Sequence, residues 1–108
     1  MQKFVKDTIE MLNKALSENF DDFHGLYLYG PYATGIYSGD DDIELVGIFD
    51  FENKAKRELI WPIVGKVETD LDVYIDLHPT TMEELKKDED FYDEVVNQGI
   101  YFDKKQKT

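Results

Sequence analysis

Four carboxylates fall within five residues, Asp40, Asp41, Asp42 and Glu44, at the mouth of a largely apolar stretch that runs from Ile43 to Phe51. On a strand, Asp42 and Glu44 project to the same side with their Cα atoms roughly 6.7 Å apart. Two like charges at that separation repel by about 2.5 kcal/mol at an effective dielectric of about 20, and by a few tenths where water screens them fully. A fold gains nothing from this. A hard divalent cation converts the repulsion into coordination, because it takes carboxylate oxygens together with phosphate oxygens of a substrate. The plainer alternative is a solvated loop entering a strand. Just upstream, Gly30 and Gly35 bracket Pro31 to Thr34. Glycines there permit positive φ and close backbone approach, so that amide groups can face a phosphate. An ordinary tight turn has the same composition, but joined to the acids it makes half of a nucleotide–metal site.

These residues need elements to hold them. Val5, Ile9, Leu12 and Leu16 recur at helical spacing within residues 3–18, which predicts an amphipathic N-terminal helix. "GLYLYG" reads as a short strand ended by Gly30-Pro31, and "DIELVGIFDF" as a second, central strand. Residues 53–69 are helical in pattern, with Pro62 predicting a kink or a split into two shorter helices. In "LDVYIDLH", Leu71, Val73, Ile75 and Leu77 alternate with Asp72, Tyr74, Asp76 and His78, the pattern of a half-buried third strand. "TTMEELKKDEDFYDEVVNQG" then reads as one or two short helices with Thr80 or Thr81 as N-cap and Gly99 as the stop, before an extended "IYF" and a frayed "DKKQKT" tail. The order predicts an α+β domain, helices packed on a mixed β-sheet.

A length of 108 residues, 42% hydrophobic, suits a single domain over residues 1–108. No apolar run approaches the length of a membrane span, and the charged N-terminus is unlike a signal peptide, so the reading is cytoplasmic. The absence of cysteine excludes disulfides, thiolate metal sites and cysteine nucleophiles. A net charge of −12 repels nucleic acid, so no direct nucleic-acid binding is expected, and it suits a partner with a basic surface or anionic substrates that arrive with divalent cations.

The stretch from Gly30 to Leu45 resembles the signature of the minimal nucleotidyltransferase domains of the DNA polymerase beta superfamily. That signature is a glycine-serine turn with a following alanine and glycine, then two aspartates alternating with hydrophobic residues on a strand. Gly30, Ala33 and Gly35 match the turn, and Asp42, Ile43 and Leu45 match the strand. Asp76, in "YIDLHPTTMEEL", stands in the context of the family's third carboxylate, and "DFYDEVVNQGIYFD" resembles the closing helix and strand. Asp72 is the rival for the third position, but the distance to the following helix start favours Asp76. Four departures matter. Pro31 stands where the family has serine and offers neither hydroxyl nor N–H. Glu44 replaces the second aspartate and shifts its carboxylate by about 1.5 Å, where an ångström can cost a hundredfold in rate. Thr34 and Asp41 replace a frequent arginine and a serine.

The resemblance implies a polymerase-beta-like nucleotidyltransferase fold and transfer of a nucleoside monophosphate from a nucleoside triphosphate, ATP in the first instance, to an acceptor hydroxyl. It implies two Mg²⁺ ions held by Asp42, Glu44 and Asp76, Asp76 as general base, and the triphosphate held by Gly30, Pro31, Tyr32, Ala33 and Gly35. It also implies a helical HEPN-type partner, with this chain as the antitoxin. The departures at Pro31 and Glu44 motivate an alternative of another class, a catalytically degenerate nucleotide- or metal-binding interaction module; a plain Ca²⁺- or Mg²⁺-buffering protein is a third. His24 and His78 lack a second histidine at metal-binding spacing and read as surface or capping residues. Trp61 reads as core or partner surface, and Tyr27, Tyr29, Tyr32 and Tyr37 as packing, with Tyr32 the best placed of the four to stack on a base.

Overall fold

The computed structural model describes residues 1–105. Its elements run α1 (Lys3–Asn19), β1 (Phe23–Tyr29), α2 (Pro31–Thr34), β2 (Ile43–Phe49), α3 (Lys54–Leu71), β3 (Ile75–Thr80), α4 (Met82–Lys86), α5 (Glu89–Tyr92), a π-helical turn (Asp93–Asn97) and β4 (Ile100–Asp103). The four strands form one mixed sheet in the order β3-β2-β1-β4. β1 pairs antiparallel with β2 and β4, and β2 pairs parallel with β3 across the α3 crossover.

The apolar stripe of α1 does what its spacing predicts: Val5, Ile9, Leu12 and Leu16 are all buried, and they pack with Ile60, Val64 and Val67 of α3 on the sheet side chains Leu26, Leu28 and Leu45. The opposite sheet face carries a smaller core of Tyr29, Val46 and Ile48, covered by Leu85 of α4 and Val95 of the π-helical turn. Alternation along β2 sends Leu45 to the first core and Glu44 and Val46 to the second face.

Three expectations are corrected. Of the kink or split expected at Pro62, the split into two shorter helices does not occur. α3 runs unbroken from Lys54 to Leu71, with Pro62 on its exposed side, because Ile60, Val64 and Val67 are held in the core on either side of it. The third strand does not begin at Leu71. That residue ends α3, and Asp72 caps it in the left-handed region at φ 53°. Val73 N–H then donates to the Glu68 carbonyl and Ile75 N–H to the Glu68 carboxylate, so β3 starts at Ile75. The tail does not fray at Asp103: Asn13 Nδ2 donates to the Asp103 carbonyl at 2.8 Å, and Lys105 N–H donates to Asn13 Oδ1 and Ser17 Oγ, both at 3.1 Å. The rest of the "DKKQKT" expectation, over residues 106–108, lies outside the described residues. Of the two candidate N-caps, Thr81 takes the role, its Oγ1 accepting from Glu84 N–H.

Candidate active site

The parallel register sets Glu44 directly across from Asp76, while Tyr29 on the other side pairs with Glu44. Neighbouring strands lie about 4.8 Å apart, so these three residues form a row on the second sheet face near the start of β2. Asp42 is the residue before β2 begins, exposed, and close enough to act electrostatically on Glu44. Asp72, the rival third acid, is not in the row. As the cap of α3 it lies beside Asp40, Asp41, Leu71 and Tyr74 around a separate hollow.

The turn after β1 is a single helical turn with Pro31 in its first position, where a missing N–H costs least. Gly30 has φ 76°, ψ −156°, a region open essentially to glycine, and Gly35 closes the turn at φ 83°. Gly30 also answers to the acids: a Cβ there would overlap the Glu44 carboxylate. The amides of Ala33 and Thr34 donate to the Gly30 carbonyl at 3.0 and 3.2 Å, and that of Gly35 to Pro31 at 2.9 Å. Much of the turn's donor capacity is thereby taken up internally. Tyr32 is buried in the main core, edge-on to Phe4 and stacked under Tyr37 with ring centroids 4.9 Å apart. Its ring is therefore occupied by packing. Tyr29 packs edge-on against Phe91.

Among the described residues no cation pairs with the acids of this row. Burial first, and then the negative charges of Asp76, Glu94, Asp42 and Asp41, push the Glu44 carboxyl above its ordinary value. Burial, followed by Glu44, Asp76 and Glu94, pushes the Tyr29 hydroxyl up to about 12, so it stays an O–H donor at neutral pH. Glu94 is the member that the sequence reading missed. It comes from the π-helical turn, a geometry frequent at functional sites, and with Gly30, Pro31, Thr34 and Asp90 it lines a hollow of about 460 Å³. Its four-residue spacing from Asp90 in a closing helix was the available signal.

Among the described residues no three acidic or histidine side chains are gathered tightly enough to hold a metal ion. The donor chemistry does suit a hard cation. Asp42, Glu44, Asp76 and Glu94 offer only oxygen, and none has an ion-pair partner among the described residues. The fit is one of charge and donor type, and Asp42 and Asp76 are exposed side chains with room to turn.

No family model matches the chain, and no curated protein matches it in sequence. Solved structures do match in shape. A toxin–antitoxin with AMP-PNP is 23% identical with a TM-score of 0.65, over 94% of this chain and 74% of that one. A variant of the MntA–HpeT toxin–antitoxin is 23% identical with a TM-score of 0.62, over 94% and 73%. A complex of tri-AMPylated Shewanella oneidensis HEPN toxin with MNT antitoxin is 22% identical with a TM-score of 0.58, over 94% and 71%. No helix among the described residues is long and apolar enough to cross a membrane. A mixed four-stranded sheet flanked by helices, aligned over nearly its whole length with these structures, gives this chain the nucleotidyltransferase fold of the minimal nucleotidyltransferase antitoxins.

Proposed function

We propose that this chain is a nucleotidyltransferase of the antitoxin type, transferring a nucleoside monophosphate from ATP to a hydroxyl on a HEPN-type partner. The observation that carries the reading is the register of Glu44 against Asp76 beside a positive-φ glycine turn, with Asp42 at the strand's entrance. The AMP-PNP complex and the AMPylated toxin among the structural neighbours support ATP and a HEPN acceptor.

In this reading Asp42, Glu44 and Asp76 hold two divalent cations, and the turn from Gly30 to Gly35 seats the triphosphate. Bound magnesium supplies Lewis-acid stabilisation of the charge on the reacting phosphate. Asp76, on the outer strand of the carboxylate row, accepts the acceptor hydroxyl's proton as its oxygen bonds to the α-phosphorus. The α–β phosphoanhydride bond breaks and pyrophosphate leaves. The Tyr29 hydroxyl, pushed up to about 12, keeps its proton at neutral pH and flanks Glu44 in the register.

A second reading is favoured by two observations, the absent donor at Pro31 and the open arrangement of the carboxylates. In it the chain is a catalytically degenerate module that binds nucleotide or metal and acts through protein contact. The two are separated by incubating the chain and its copurifying partner with α-labelled ATP. Magnesium-dependent label on protein, reduced at least a hundredfold by Asp76→Asn, is the expected result. Tight Mg-ATP binding without label would support the degenerate module.

A further inference from the structure

A second hollow lies away from the carboxylate row. It is a trough of about 790 Å³ at the other end of the same sheet face, where β2 and β3 finish. Its floor is apolar, made by Ile48, Leu85, Phe91 and Met82. Phe51 stands at its edge, 56% exposed although it is a large aromatic side chain. The rim is acidic: Asp50 and Glu52 come from the loop after β2, and Glu83, Glu84 and Asp88 from the α4–α5 side. His24 is paired with Asp50, Arg57 with Glu52 and Lys87 with Glu84, all by neighbours on this chain. Glu83 and Asp88 have no ion-pair partner among the described residues, and no lysine or arginine lines the trough.

We infer that this trough is a docking groove for a basic amphipathic helix of a protein partner, which seats apolar side chains on the Ile48–Leu85–Phe91 floor and sets lysines or arginines against the two acidic rims. Apolar floor and charged rim are the anatomy of a protein interface, with the rim fixing orientation and on-rate. A helix suits it better than an extended segment. The groove is lined by a sheet face and helices, and although β3 is an outer strand, Pro79 leaves it one N–H short as a ladder for an extended chain, whereas a helix satisfies its own backbone. The net charge of −12 directs the same choice by repelling acidic partners. The inference does not depend on nucleotide transfer, because none of the residues proposed for that reaction lines the groove.

The test uses the full chain, isotope-labelled, titrated with a synthetic Leu/Lys amphipathic helix, and with a Leu/Glu helix of the same pattern as control. Amide shifts concentrated at Phe51, His78, Thr81 to Leu85 and Phe91, absent with the acidic helix, are the expected result. The Glu83→Lys/Glu84→Lys variant should bind the basic helix at least tenfold more weakly, and its unshifted spectrum elsewhere checks that it is folded. Shifts mapped to the exposed faces of α1 and α3, shifts at Asp42, Glu44 and Asp76 alone, equal binding by the charge-reversed variant, or no binding would each overturn the inference. So would a concentration-dependent dimer that occupies the same residues, since the occupant is then a second copy.

Discussion

Glu44 holds the tension of the site in one side chain. Its carboxyl titrates above its ordinary value because burial and four neighbouring acids all penalise the charged form. The native state therefore binds this proton more tightly than the unfolded chain does, so stability falls as pH rises through the raised value. Below the ordinary glutamate range both states are protonated and the penalty is absent. The Glu44→Gln variant should thus melt a few degrees higher than the parent at pH 7, with the difference closing as pH falls below about 4. Thermal scans across that range check it, and an equal or lower melting point at neutral pH would contradict the account. At this scale the sequence was informative about Glu44 and Asp76, which strand alternation and the parallel register set opposite each other, while Asp42 lies one residue ahead of the strand. The sequence read Tyr32 as packing first and as a base-stacking residue second, and its ring does lie in the core; Glu94 was passed over, because it reaches the row only through the folding back of a distant helical turn.

The elements show where a pattern admits two readings. Leu71, Val73, Ile75 and Leu77 alternate as a strand would, yet Ile60, Val64, Val67 and Leu71 are also spaced three and four apart. The helical series prevails as far as Leu71, Asp72 turns the chain, and the alternation applies only afterwards. That difference removes Asp72 from contention and leaves Asp76 opposite Glu44. Pro62 was read as a breaker because of its missing N–H, but breaking strength is weighed against the burial of the helix on either side. Such a helix still carries the local cost. Pro62→Ala, on the exposed face, should stabilise the protein by about 1 to 3 kcal/mol. Urea unfolding would read this directly, and a lowered midpoint at unchanged slope would show that the proline is favoured by something outside the helix. The short helices after β3 were legible as existing but not as α4, α5 and a π-helical turn, a division set by how Leu85 and Val95 both reach the second core.

Across the whole molecule, one sheet separates two tasks. One face is sealed by α1 and α3, and the other carries the carboxylate row at one end and the acidic groove at the other. The central claim is that Asp42, Glu44 and Asp76 gather divalent cations beside the Gly30 to Gly35 turn. Anomalous diffraction from crystals soaked with Mn²⁺ and a non-hydrolysable ATP analogue tests it most directly. The account predicts manganese peaks within bonding distance of all three carboxylates, with the triphosphate against the turn. Nucleotide bound elsewhere, or three carboxylates that stay apart with no metal between them, would contradict it.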